Sequence, residues 1–187
     1  MDTSLETRDG LPGALEVLLR EHPREAWQAD PQFNGLIAFW LDRHMMFRKL
    51  GGLLQQECEA LLDENSDPRR FAQAVAHYSG MFVNQLHGHH QIEDHHYFPV
   101  LATRDARIEK GFALLDADHH ALDGRLHRFV TSANTAIQGA TGADPRTAAA
   151  DFLEAARGMD QLLRRHLDDE EDLIVPVILK YGTEGLG

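Results

Sequence analysis

Cysteine is nearly absent: Cys58 is the one thiol among 187 residues. An internal disulfide is therefore impossible, and a reducing cytoplasm is the expected location. Long apolar runs are missing too; none approaches the roughly 20 residues of a membrane span. The opening MDTSLETRDGLPG is polar and acidic, so it does not read as a signal peptide. Positive charge is scarce, with 18 Lys and Arg against 30 Asp and Glu and a formal net charge of −12. That balance argues against nucleic acid or an anionic membrane as a partner, and it equally serves solubility. No segment shows the period-two alternation of a half-buried strand. The length suits one domain with a real core.

Histidine, in contrast, is plentiful: 12 residues. Five lie between 87 and 96, and two more are His119 and His120. Two histidines open copies of one pattern, HHQIEDHHYFPVL from His89 and HLDDEEDLIVPVI from His166. Aligned on the proline, His89 matches His166, Glu93 matches Glu170, Asp94 matches Glu171, and Pro99 matches Pro176. Each copy is thus His-x-x-x-Glu with a trailing Pro. On a helix, a spacing of four sets the imidazole and the carboxylate on one face, a turn apart. That spacing suits two ligands to one metal site.

Apolar residues recurring at three- and four-residue steps predict four long helices, at about 31–64, 67–101, 105–138 and 145–181. Asp67-Pro68 and Asp144-Pro145 are start signals for two of them. Gly182 is a stop signal. Gly51-Gly52 weakens the first helix and permits a bend or a close helix contact. Pro99 is expected to kink the second. Short connections between such helices imply an antiparallel, up-down-up-down four-helix bundle over residues 31–187. Ahead of it, residues 1–30 read as an extension, loose at first, with a short extra helix over 11–22 that Pro23 ends.

In such a bundle the start of the first helix, the end of the second, the start of the third and the end of the fourth share one end. His44, His89, Glu93, His119, His166 and Glu170 all fall on inward stripes, roughly 14–22 Å inside that end at about 1.5 Å per residue. Two carboxylates buried without partners cost several kcal/mol or neutralise themselves. Ringed by imidazoles, they call for a cation rather than a purely structural polar network. The set contains no thiolate, which disfavours a structural zinc site. Imidazoles with two carboxylates suit iron, manganese or zinc. Six ligands are too many for one tetrahedral ion and fit two ions bridged by carboxylates. The Glu-x-x-His of ferritin-type sites occurs at Glu93–His96 without a counterpart on the fourth helix. No His-Glu-x-x-His is present, so the common zinc protease pattern is excluded.

Residues 31–181, carrying His44, His89-x-x-x-Glu93, His119 and His166-x-x-x-Glu170 with its proline, resemble the hemerythrin-like, HHE cation-binding domain. The resemblance implies a four-helix bundle around a non-haem di-iron centre of the Fe–O–Fe type. It makes His44, His89, His119 and His166 terminal ligands, and Glu93 and Glu170 bridges. One departure stands out. Oxygen-carrying hemerythrins have a further histidine four residues after the first on the third helix, where this chain has Asp123. Either Asp123 takes that place or the site keeps an open position. An open position favours reaction with peroxide, nitric oxide or oxygen over reversible oxygen carriage.

Adjacent residues on a helix point about 100° apart, so only one of His89 and His90 is expected to face the centre. His89 is preferred for its partner Glu93, with His90 and Asp94 the alternative. His119 is preferred over His120 because Leu115, Leu122 and Leu126 share its face. His87, His95 and His96 are expected in solvent or behind the ligands. Trp40 and Phe47 are expected to wall the site, and Tyr97 either bonds a bridging ligand or is a core aromatic. The functional expectation is a di-iron protein that binds or reduces a small oxidant, with no nucleic-acid or membrane partner. The alternative is a non-enzymatic module for iron or oxygen sensing, or for iron supply.

Overall fold

Asp67 and Asp144 start helices as their Asp-Pro signals predict. Asp67 Oδ1 accepts from the N–H groups of Arg69 and Arg70 at 2.9 and 3.0 Å. Asp144 Oδ1 accepts from that of Thr147 at 3.1 Å. The computed structural model describes residues 3–186, and among these every regular element is helical. In chain order they are α1 (Val17–Glu21), a 3₁₀ turn (Arg24–Ala29), α2 (Gly35–Leu62) and α3 (Pro68–Ile92). A π turn (Glu93–Tyr97) then leads into α4 (Phe98–Leu101), followed by α5 (Glu109–Gly139) and α6 (Pro145–Tyr181). No helix among the described residues is long and apolar enough to cross a membrane.

The four expected helices correspond to α2, α3 through α4, α5 and α6, with ends shifted by a few residues. Asn34 caps α2, its Oδ1 accepting from Leu36 and Ile37 N–H. Gly182 ends α6 at φ 76°, a left-handed conformation that favours glycine. The irregularity expected at Pro99 lies just before it. Phe98 N–H reaches back five residues to the Glu93 carbonyl, the bonding of a π turn. Pro176, its counterpart, sits inside α6 without such a turn.

The chain divides into two compact units. The first comprises the chain up to His44, His89–Ala121, and Arg164 onward. Its apolar core joins Ile37, Trp40, Phe98, Leu115 and Ile178 to Leu11, Leu15, Leu18 and Trp27. The N-terminal segment is therefore not loose as its polar composition led us to expect. Leu5 and Arg8 are already buried. The short helix is confined to Val17–Glu21, and the 3₁₀ turn that follows Pro23 had no signal in the sequence.

The second unit comprises Met45–Gly88 and Leu122–Leu163. Its core is dry. Phe47, Phe82, Phe129 and Phe152 form a ladder of edge-on and tilted rings, with successive centroids 6.3, 5.4 and 5.5 Å apart. Gly51 lets α2 approach α6 closely: a Cβ there would lie 2.5 Å from Asp160 Oδ1. Cys58 is fully buried here, and burial pushes its thiol up to about 12. It is an inert core residue.

Candidate metal centre

Five helical stretches of the first unit converge on a polar centre. α2 supplies His44, α3 supplies His89 and His90, and the π turn begins with Glu93. α5 contributes His119, and α6 contributes His166 and Glu170. His44, Glu93, His166 and Glu170 have no exposed surface at all. Their ligand-capable atoms form two groups. One holds His44, His89, Glu93 and Glu170; the other holds His90, His119 and His166; within each group these atoms lie within 4.8 Å of one another.

The two carboxylates span the groups. Glu93 places Oε1 2.9 Å from His89 Nε2 and Oε2 3.6 Å from His119 Nε2. Glu170 Oε2 lies 3.6 Å from His44 Nε2 and 3.4 Å from His166 Nε2. Its Oε1 accepts a hydrogen bond from Trp40 Nε1 at 2.9 Å. Both Glu93 oxygens, Glu170 Oε2 and His90 Nε2 are buried without a hydrogen-bond partner. Native proteins rarely leave such atoms orphaned.

Behind the imidazoles stands a row of acids. His44 Nδ1 meets Glu171 Oε1 at 2.9 Å, His119 Nδ1 meets Asp94 Oδ1 at 2.7 Å, and His166 Nδ1 meets Asp118 Oδ2 at 3.3 Å. A carboxylate accepts only, so Nδ1 carries the proton in each ring and Nε2 presents its lone pair to the centre. Yet His119 Nε2 and His166 Nε2 face each other at 3.1 Å, as do the Nε2 atoms of His44 and His89. Two lone pairs at that distance repel unless a proton or a metal cation lies between them.

Without a cation, the buried groups shift their proton affinities. Burial opposes a charge on His166, but the Asp118 carboxylate at its Nδ1 and the charge of Glu170 beside its Nε2 prevail and raise it to about 9. Burial, then the charge of Glu170, holds Glu93 well above the usual carboxylate range. His89 moves the other way, down to about 3, because burial and the neighbouring imidazoles outweigh the pull of Glu170. The donors therefore fit a metal: nitrogen and carboxylate oxygen, poised inward, held from behind, and short of partners.

The sequence profile of the hemerythrin HHE cation binding domain matches residues 35–178. The chain belongs to that family. This HHE domain is a cation-binding module, and its histidine and glutamate groups can hold a metal. No curated protein and no solved structure matches the chain.

All six residues singled out from the sequence enter the two groups. His90 joins them, although only one of the neighbours His89 and His90 was expected to face inward. The centre is wide enough for each to face a different group, and His90 stacks on His119 with centroids 3.9 Å apart. His120 and Asp123 are exposed, as are His87, His95 and His96. Trp40 meets His89 edge-on at 6.3 Å and Phe98 stacks on His119 at 5.4 Å, walling the HHE centre. Tyr97 packs on Trp40 at 4.7 Å.

The orienting acids had a signal in the sequence that was visible without its meaning. Asp94 and Glu171 are equivalent positions of the repeated motif, and each receives the Nδ1–H of a histidine from another helix.

Proposed function

We propose that this HHE domain is a non-haem di-iron protein that binds or reduces a small oxidant: oxygen, peroxide or nitric oxide. In this reading His44 and His89 would hold one iron and His90, His119 and His166 the other, with the carboxylates of Glu93 and Glu170 within reach of both groups. The observation that carries it is the pair of carboxylates that span two imidazole groups while three of their four oxygens lack any hydrogen-bond partner. Manganese or zinc satisfies the same donors. The four long helices are read as an up-down-up-down bundle, as short connections favour.

When bound, the iron pair supplies one- and two-electron redox chemistry. The chain's own residues do the rest. Asp94, Asp118 and Glu171 fix the ring orientations from behind. Trp40 holds Glu170 through Nε1. Trp40, Phe98 and Leu115 exclude bulk water. The single cysteine fits a reducing cytoplasm.

The test is anaerobic iron loading followed by optical spectra before and after oxygen, peroxide or nitric oxide. New near-ultraviolet and visible bands, with consumption of the oxidant over repeated cycles, are expected. Two irons held without turnover would favour a sensing or iron-supply module instead. No iron retained would overturn both.

A further inference from the structure

Two arginines of the N-terminal segment reach the centre, each through a different acid. Arg8 clasps Asp118 with both Nη atoms, Nη1 donating to Oδ1 at 2.7 Å and Nη2 to Oδ2, while its Nε donates to Asp169 Oδ2 at 2.8 Å. The same Asp118 Oδ2 faces His166 Nδ1. Arg24 donates from Nη1 to Glu171 Oε2 at 2.9 Å and from Nε to Asp172 Oδ1 at 2.5 Å, while Glu171 Oε1 faces His44 Nδ1. Arg8 thus backs the His90–His119–His166 group, and Arg24 backs the His44–His89–Glu93–Glu170 group. The two orienting acids so served are deeply buried, with side chains 3% and 6% exposed. The third, Asp94, is 23% exposed, and solvent reaches it.

We propose that Arg8 and Arg24 are positioning residues that each secure one of the two metal positions, so that the N-terminal segment controls the ions separately. The proposal rests on the metal-centre reading above. Arg8 grips Asp118 bidentately, which fixes both the place and the plane of the carboxylate; Arg24 holds Glu171 through one charged bond and is itself anchored by Asp172 and the Asp168 carbonyl. Without the arginine the carboxylate loses a charged donor that fixes it, the acceptor for the histidine Nδ1–H is held less firmly, and Nε2 is aimed less well at the centre. Losing such an outer partner typically costs about 10–100-fold in metal affinity.

The experiment is an anaerobic cobalt(II) titration of the full chain, followed by visible absorption and calorimetry. The native chain should take up two ions. Arg8→Gln should weaken one by about tenfold or more and leave the other unchanged, and Arg24→Gln should do the reverse. A His90→Ala background assigns them: Arg24→Gln should still weaken the remaining ion, and Arg8→Gln should not. If Arg8→Gln fails to fold by circular dichroism, Asp118→Asn reads the same link and should weaken the same ion. Equal weakening of both ions by either arginine variant, or no weakening, would overturn the proposal while leaving the metal centre standing. A native chain that takes up no metal would overturn both.

Discussion

Each of the four long helices carries a ring for both units of the molecule, and the two sets of rings behave oppositely. Phe47, Phe82, Phe129 and Phe152 lie three, seven, ten and fourteen residues from His44, His89, His119 and His166. These separations fall on the three-, seven-, ten- and fourteen-residue steps of an inward helical stripe, so each Phe shares a stripe with its His. In the second unit the phenyl rings complete themselves by packing. In the first, the imidazoles pack as closely, but their facing nitrogens and the orphaned oxygens of Glu93 and Glu170 stay unsatisfied without a cation. One helical pattern thus yields a finished core where the stripe is apolar, and a core awaiting an ion where it is polar.

The largest effect should come from breaking the polar side of that contrast. Glu93→Gln with Glu170→Gln removes both spanning charges, and elemental analysis after anaerobic loading should fall from two ions per chain to nearly none. The helical circular dichroism should persist, because Gln fills the same volume. Breaking the dry side should do the converse. Phe82→Ala should cost about 3–5 kcal/mol in denaturant unfolding with the metal content unchanged.

A subtler distinction is pH dependence, which the buried histidines should make strongest in the polar unit. In the metal-free protein the proton held by His166 stabilises the fold fully below its unfolded value of about 6.5. That contribution is lost as pH rises through about 9. His89, depressed to about 3, works in the opposite sense: its unfolded form binds a proton below about 6.5, so stability falls as pH drops toward 3. Thermal melts of the metal-free protein should therefore peak near neutral-to-slightly-acid pH. Metal uptake should release protons and weaken as pH falls, and metal should flatten the melting profile. The smallest effect should be Gly52→Ala. Nothing lies within 4 Å of an added Cβ there, so the helix gain should stabilise the second unit by up to about 1 kcal/mol and leave the metal content untouched.

The helices and the six inward donors were legible because both obey the same 3.6-residue period, and because Asp-Pro pairs announce two of the helix starts. His90 was not, since a single target point admits only one of two adjacent residues; two neighbouring groups widen the target enough for both. The π turn depends on how the Glu93–Tyr97 stretch packs, and Pro176 shows that a proline in the same register need not bring one. Arg8 and Arg24 were hidden because they lie in a segment without a long period, and their partners on α5 and α6 are more than a hundred residues away. Asp94 and Glu171 stood in plain view as matched letters of the repeat, but their task is defined only by the facing helix.

The most direct measurement is anomalous diffraction from crystals grown with iron or manganese, recorded at the metal's absorption edge. The account predicts two peaks per chain, one among His44, His89, Glu93 and Glu170 and the other among His90, His119 and His166, both touching Glu93 and Glu170. Peaks confined to exposed histidines, or none at the centre with its side chains unchanged, would contradict it.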